Sequence, residues 1–255
     1  MKSCAGSVLW MSKMTALIKK GFRFAKRKLR KAYVAFSRRV LLIQDWIIDR
    51  RICGRSLGKI VLDMCGDEKN QIGGTGTESS PYVYLKRIFS YIRLDETDRV
   101  LDVGCGKGRV FAFFIKEKYP CRIDGIEHNA DVAKIAQEWT AKYPQIRVIV
   151  GDAFLADFNQ YTVLTLSRPF FWHTYCEFVE KLEEKLTHPI AMLSWHEDPR
   201  VRDFIKVRPG WHIVHHEFTN RIHGLYLRNC PQPFTVWTYD PAERKAREPA
   251  VPAEA

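Results

Sequence analysis

The sequence predicts an α/β domain, a mostly parallel sheet covered by helices on both faces. Two observations carry that prediction. Arg99 to Val110 runs from an apolar strand pattern through Asp102 into three glycines spaced two apart, Gly104, Gly106 and Gly108, and out into a helical pattern. From Pro81 onward, strand and helix patterns alternate, which implies strands in one parallel sheet with helices packed on its faces.

Each element has its own signal. A helix is expected near Tyr82 to Ile92. Val100, Leu101 and Val103 suit a buried parallel strand, and Val110, Phe111, Phe113, Phe114 and Ile115 suit the buried side of a helix from about Lys107. Arg122 to Ile126 reads as a second strand ending in Glu127, followed by Val132, Ile135, Ala136 and Trp139 at helical spacing. Ile146 to Val150 is a third strand, with Gly151 and Asp152 at its carboxyl end. Thr162 to Ser167 is the fourth, a helix from about Tyr175 to Leu186 follows, and Ile190 to Ser194 is the fifth. A short helix near Pro199 to Val207 precedes β-rich segments at Trp211 to Phe218, Ile222 to Leu227 and Phe234 to Tyr239. In such a sheet, ligands sit at the carboxyl ends of the strands.

The glycine loop lies between strand and helix, where glycine permits a sharp turn and lets a ligand approach main-chain N–H groups at the positive end of the helix. Spacing decides between ligands. A dinucleotide loop needs a glycine five residues after Gly104, where this chain has Arg109, and a P-loop needs a Gly-Lys-Ser/Thr that is absent. Asp102 to Gly108 resembles motif I of the class I S-adenosylmethionine (SAM)-dependent methyltransferases, (D/E)-x-G-x-G-x-G, at every fixed position. The resemblance covers about Pro81 to Tyr239. It implies a Rossmann-like fold whose late β segments form an antiparallel edge, with SAM as cofactor and Asp102, Gly104, Gly106 and Gly108 in the cofactor site. By the same resemblance Glu127 holds the ribose hydroxyls and Asp152 the adenine amino group, with Ala153 or Phe154 near the adenine.

Composition sets the limits around this domain. With 255 residues, 46% of them hydrophobic, the chain can bury a full core. Its seven cysteines contain no C-x-x-C pair, so buried thiols of a reducing, cytoplasmic compartment are expected rather than disulfides or a metal site. Residues 1 to 60 hold 16 Lys and Arg against Asp45 and Asp49 alone, net +14 in a chain of net +12, so the remainder is net −2. The expected organisation is a basic helical extension over 1–64, a Gly-rich linker or lid over 65–80, the domain over 81–240 and a disordered tail over 241–255.

Within the extension Met14, Leu17, Ile18, Phe22, Ala25, Leu29, Tyr33, Phe36, Val40, Ile43 and Ile47 recur every three or four residues, with Lys and Arg in the turns between. That is a basic amphipathic helix, with a break expected near Gly21. It suits an anionic membrane surface, where each basic residue contributes about 1 kcal/mol. Nucleic acid, another partner, or packing on the domain itself are the alternatives. Its longest apolar run, Val40 to Ile43, is far short of the roughly 20 residues of a spanning helix. Because the cofactor motifs begin near Asp102, residues 1 to 60 are expected to be dispensable for SAM binding.

The acceptor side carries weaker signals. Amino-group methyltransferases usually end the fourth strand in (N/D)-P-P-(Y/F), whose first side chain accepts hydrogen bonds from the target nitrogen. Here Arg168, Pro169, Phe170 and Phe171 stand there, and Arg168 can only donate. It can serve an acidic acceptor group or a salt bridge. His173 after the fourth strand is the other catalytic candidate, and His196 follows the fifth. The expected function is methyl transfer from SAM to an unidentified acceptor. The alternative is a noncatalytic SAM-binding or RNA-binding module of the same fold.

Overall fold

The computed structural model describes residues 4–58, 78–228 and 230–247. Nine strands are present among them: β1 (Arg99–Val103), β2 (Arg122–Glu127), β3 (Ile146–Val150), β4 (Val163–Leu166), β5 (Ile190–Trp195), β6 (Trp211–Thr219), β7 (Arg221–Ile222), β8 (Leu225–Tyr226) and β9 (Gln232–Tyr239). Seven form one sheet in the order β3-β2-β1-β4-β5-β9-β6. The first five are parallel, and β9 and β6 add the antiparallel edge. The β-rich segment expected at Ile222 to Leu227 belongs to the two-stranded β7–β8 hairpin, which turns through His223 and Gly224, both at positive φ.

Helices α2 (Tyr82–Phe89), α3 (Arg109–Glu117), α4 (Ala130–Thr140), α5 (Trp172–Lys185) and α6 (Pro199–Ile205) cover the sheet. Alternation along β1 divides its side chains between two cores. Val100 joins Leu85, Ile88, Phe89, Phe111 and Phe113 on one face, whereas Leu101 and Val103 join Phe158, Phe178, Val179, Leu182 and Ile205 on the other. Strand order reverses between β1 and β4, the switch point at whose carboxyl ends open α/β sheets form their ligand crevice.

Helix α1 (Cys4–Cys53) is continuous through Gly21, so the expected break does not occur. Its domain-facing side carries Val34, Ser37, Leu41, Asp45, Asp49 and Cys53, all buried. That side packs on α3 and on the β7–β8 hairpin, where the Tyr33 hydroxyl donates to the Gly224 carbonyl at 3.0 Å. The apolar stripe legible in the sequence is a different face. Phe22, Leu29, Phe36, Ile43 and Ile47 on it are exposed, Phe22 and Leu29 by more than 70%. At about 100° per residue the two faces lie roughly 165° apart. The side chains of Met14, Leu17 and Ile18 lie outside the described residues, as do residues 59–64 of the expected extension and 65–77 of the expected linker. Pro241–Arg247 forms a seventh helix, α7, where disorder was expected; residues 248–255 lie outside the described residues. Its start is capped, with the Ala242 N–H donating to Asp240 Oδ1 at 2.8 Å. Among the described residues, no helix is long and apolar enough to cross a membrane.

Candidate cofactor site

The loop from β1 into α3 depends on its glycines at all three positions. Gly104, Gly106 and Gly108 have φ of 71°, 55° and 85°, the left-handed region that favours glycine. A Cβ on Gly104 would lie 2.8 Å from Pro169 Cβ, and one on Gly108 2.7 Å from Phe111 and 3.1 Å from Trp139. The loop amides differ from expectation. Gly104 and Cys105 N–H groups both donate to the Ile126 carbonyl (2.9 and 3.1 Å), Gly108 N–H donates to the Cys105 carbonyl (2.9 Å), and Gly106 N–H donates to Glu127 Oε2 (2.9 Å). These four bonds are internal, so what the loop offers a ligand there is close approach to a backbone without side chains.

The three predicted acids stand at the carboxyl ends of three neighbouring strands. Asp102, in register with Thr165 of β4, is buried and accepts that hydroxyl's hydrogen bond at 2.8 Å. Burial pushes its carboxyl up to about 7; the Thr165 bond opposes the rise and the charge of Glu127 adds to it. Glu127 ends β2 with one oxygen on the Gly106 N–H and the other on the Asn129 N–H at 3.0 Å, and burial raises its pKa despite both bonds. It thus ties the glycine loop to the start of α4, and each oxygen keeps a further lone pair for a ligand. Asp152 follows β3 and accepts the Phe154 N–H at 2.9 Å, which leads into a short turn beginning at the buried Ala153.

Across the crevice, Arg168 and His196 follow β4 and β5 with φ of 48° and 58°, strained for residues with side chains. The His196 ring stacks on Tyr84 with centroids 5.4 Å apart. Burial pushes its imidazole down to about 4, and Arg228 and Arg168 add to the fall while Glu78, ion-paired with Arg228, opposes it. His196 is therefore neutral at pH 7. His173 is exposed in the first turn of α5, its ring 3.5 Å from that of Trp172. His212, His215 and His216 sit on the edge strand, bonded to Glu243, Glu217 and Thr235. Among the described residues, no group of three His, Cys, Asp or Glu could hold a metal ion.

Two further clusters stand here: the family resemblance places Ser80, Pro81 and Tyr82 of the first near the site, and sequence reasoning missed the second. The Ser80 hydroxyl accepts from Trp195 Nε1 at 2.8 Å and lies 3.4 Å from that of Ser167, so the entry to α2 closes over the ends of β4 and β5. The second joins α1 to the loop. Arg109, directly after Gly108, donates from Nη1 to Asp45 (3.0 Å) and from Nη2 to Asp49 (2.6 Å), and all three are buried. Burial pushes the Asp45 carboxyl up to about 6 despite Arg109. A signal was present, because Asp45 and Asp49 are the two acids of the first sixty residues and stand one helical turn apart.

Residues 100–186 match the family model of the methyltransferase domain. Among solved structures, an RNA methyltransferase from Salinibacter ruber aligns at TM-score 0.49 and 22% identity, over 69% of this chain and 97% of that one. TrmN from Thermus thermophilus aligns at 0.48 and 15% identity, over 63% of this chain and 49% of that one, about half its length. The YcgJ protein of Bacillus subtilis aligns at 0.45 and 12% identity, over 62% and 97%. No curated protein matches the chain.

Proposed function

We propose that the chain, whose residues 100–186 match a methyltransferase domain, is a class I, SAM-dependent enzyme that transfers the methyl group of SAM to an acceptor presented at the carboxyl ends of β4 and β5. The observation that carries this is the convergence of Asp102, Glu127 and Asp152 on one edge of the crevice, around a loop with three left-handed glycines. Asp102, Gly104, Gly106, Gly108, Glu127, Asp152 and Ala153 would hold the cofactor. When bound, SAM supplies an electrophilic methyl group; alignment of a nucleophile for in-line attack is then the main demand on the protein. Arg168 and His173 are the catalytic candidates at the acceptor rim, where Arg168 suits an acceptor bearing an acidic group. The test is incubation of the intact chain with methyl-labelled SAM and separated lipid, RNA and protein fractions. Label in one fraction, with S-adenosylhomocysteine released, is the expected outcome. SAM binding with no turnover on any fraction would favour the noncatalytic module.

The finer proposal is that the acceptor is met at an anionic membrane surface, on the cytoplasmic side, through residues 1–60. Its support is the division of α1 between a docked face and an exposed one. Phe22, Leu29, Phe36, Ile43 and Ile47 form an apolar stripe that the domain does not cover, beside Lys and Arg in nearly every turn from 20 to 39. Vesicles containing phosphatidylglycerol should sediment the protein, more weakly as salt rises. The double substitution Phe36→Glu/Ile43→Glu should abolish sedimentation without lowering Tm. Unchanged sedimentation would sink the membrane reading, and salt-sensitive retention on RNA instead would favour nucleic acid.

A further inference from the structure

Three side chains pin the glycine loop. Glu127 takes the Gly106 N–H, and Trp139 Nε1 of α4 donates to the Lys107 carbonyl at 2.9 Å. The third is Arg109, the first residue of α3, and the two carboxylates that anchor it lie outside residues 81–240. Its guanidinium meets Asp45 and Asp49 from successive turns of α1 and lies over the Tyr82 ring, 5.2 Å from the centroid. Tyr82 and Leu57 complete the cluster. Tyr82 N–H donates to Asp45 Oδ1 (3.2 Å), its hydroxyl to Asp49 Oδ1 (2.8 Å), and Leu57 N–H to Asp49 Oδ2 (2.7 Å).

Adhesion alone does not require ions here. Leu41, Ile48 and Ile52 already give α1 an apolar contact with the domain, and burying charges adds a desolvation cost that an apolar contact of the same volume avoids. What the ions add is direction. Two carboxylates one turn apart grip a planar fork at both of its Nη atoms, which fixes the orientation of a residue adjoining the loop.

We propose that Asp45 and Asp49 are positioning residues of the cofactor site, acting through Arg109 to fix where the glycine loop enters α3. Helix α1 then belongs functionally to that site, contrary to the expectation that residues 1 to 60 are dispensable for SAM binding. The inference rests on the SAM reading of the loop.

The test uses the full chain and compares Asp45→Asn with Leu41→Ala. The first keeps an acceptor for the Tyr82 N–H and loses the charge that faces Arg109. The second weakens α1 docking without touching the ions. Calorimetry with SAM and thermal unfolding are read on both, together with amide hydrogen exchange of residues 106–110. Asp45→Asn should weaken SAM binding at least tenfold and speed exchange in the loop. Leu41→Ala should lower Tm by as much or more, with SAM affinity within threefold of the unmodified chain. If Asp45→Asn does not fold, Arg109→Lys is read in its place, since it keeps the charge and loses the fork. SAM affinity within twofold in the ion variant, or affinities that fall in both variants in step with Tm, would overturn the proposal. If the unmodified chain gives no heat with SAM, the methyl-donor reading itself fails. Loop exchange then decides the positioning role alone, and unchanged exchange in the ion variant refutes it.

Discussion

The carboxyl ends of β1, β2 and β3 and those of β4 and β5 face one crevice and are built on different terms. On the first side the groups that matter lie between Asp102 and Asp152 and act largely through the backbone: three left-handed glycines, four inward-bonded amides, and acids that end or follow their strands. On the second side the groups come from distant parts of the chain. Tyr84 and the Pro233 carbonyl meet His196, Ser80 meets Ser167 and Trp195, and Glu78 pairs with Arg228, around Arg168 and His196, two residues held at positive φ. A site made by backbone shape admits one ligand geometry and leaves a spaced motif. A site made by converging side chains can be altered one residue at a time, which suits the side that must recognise the acceptor.

The sharpest way to break this contrast is at Gly104. Gly104→Val places a β-branched residue at φ 71° with its Cβ 2.8 Å from Pro169, and such backbone strain alone costs about 1–3 kcal/mol. SAM binding should become undetectable by calorimetry, and affinity within tenfold of the unmodified chain would move the cofactor elsewhere. Next comes Glu127→Ala. Two charge-assisted hydrogen bonds to a ribose are each worth about 1.5–3 kcal/mol, so SAM affinity should fall at least tenfold while cooperative unfolding persists. A change under twofold would show that Glu127 serves only Gly106 and Asn129.

A smaller effect concerns Asp102. Its carboxyl has a pKa of about 7 in the folded chain against an ordinary 3.8, so the folded state holds the proton more tightly and Asp102 costs stability as pH rises from about 4 to about 7. Asp102→Asn, which still accepts from Thr165, should therefore gain in Tm relative to the unmodified chain across that window. A constant difference between pH 4 and 7 would place Asp102 in a wetter setting. The smallest effect belongs to the other side of the crevice. Arg168→Gly relieves a left-handed φ, worth about 1 kcal/mol, so Tm should hold or rise. SAM affinity should stay within threefold while methyl transfer falls. A large loss of SAM affinity would erase the distinction between the two sides.

What could be read from sequence follows the same division. Strands β1 to β5 and their helices declare themselves through local periodicity, and the motif acids through their places at strand ends. The His196–Tyr84 stack and the Ser80–Trp195 bond join segments more than a hundred residues apart, and no local pattern encodes such contacts. Helix α1 is intermediate. Its helicity and charge are local properties, yet its apolar periodicity marked the exposed face. The docked face is less apolar in sequence because it carries Ser37, Asp45 and Asp49, whose polarity is satisfied only by the Tyr33 carbonyl, Tyr82, Leu57 and Arg109. Helix α7 was missed because its run of charges over 241–247 resembles a solvated tail. Its cap at Asp240 and the contact of Arg244 with Glu183 hold it to the domain.

The central claim is that the loop after β1 binds SAM and not a dinucleotide, and calorimetry of the intact chain with SAM and with NAD tests it most directly. One SAM should bind per chain, weakened at least tenfold by Glu127→Ala, with no heat from NAD. Heat from NAD with none from SAM would contradict the assignment of the loop and of every role built on it.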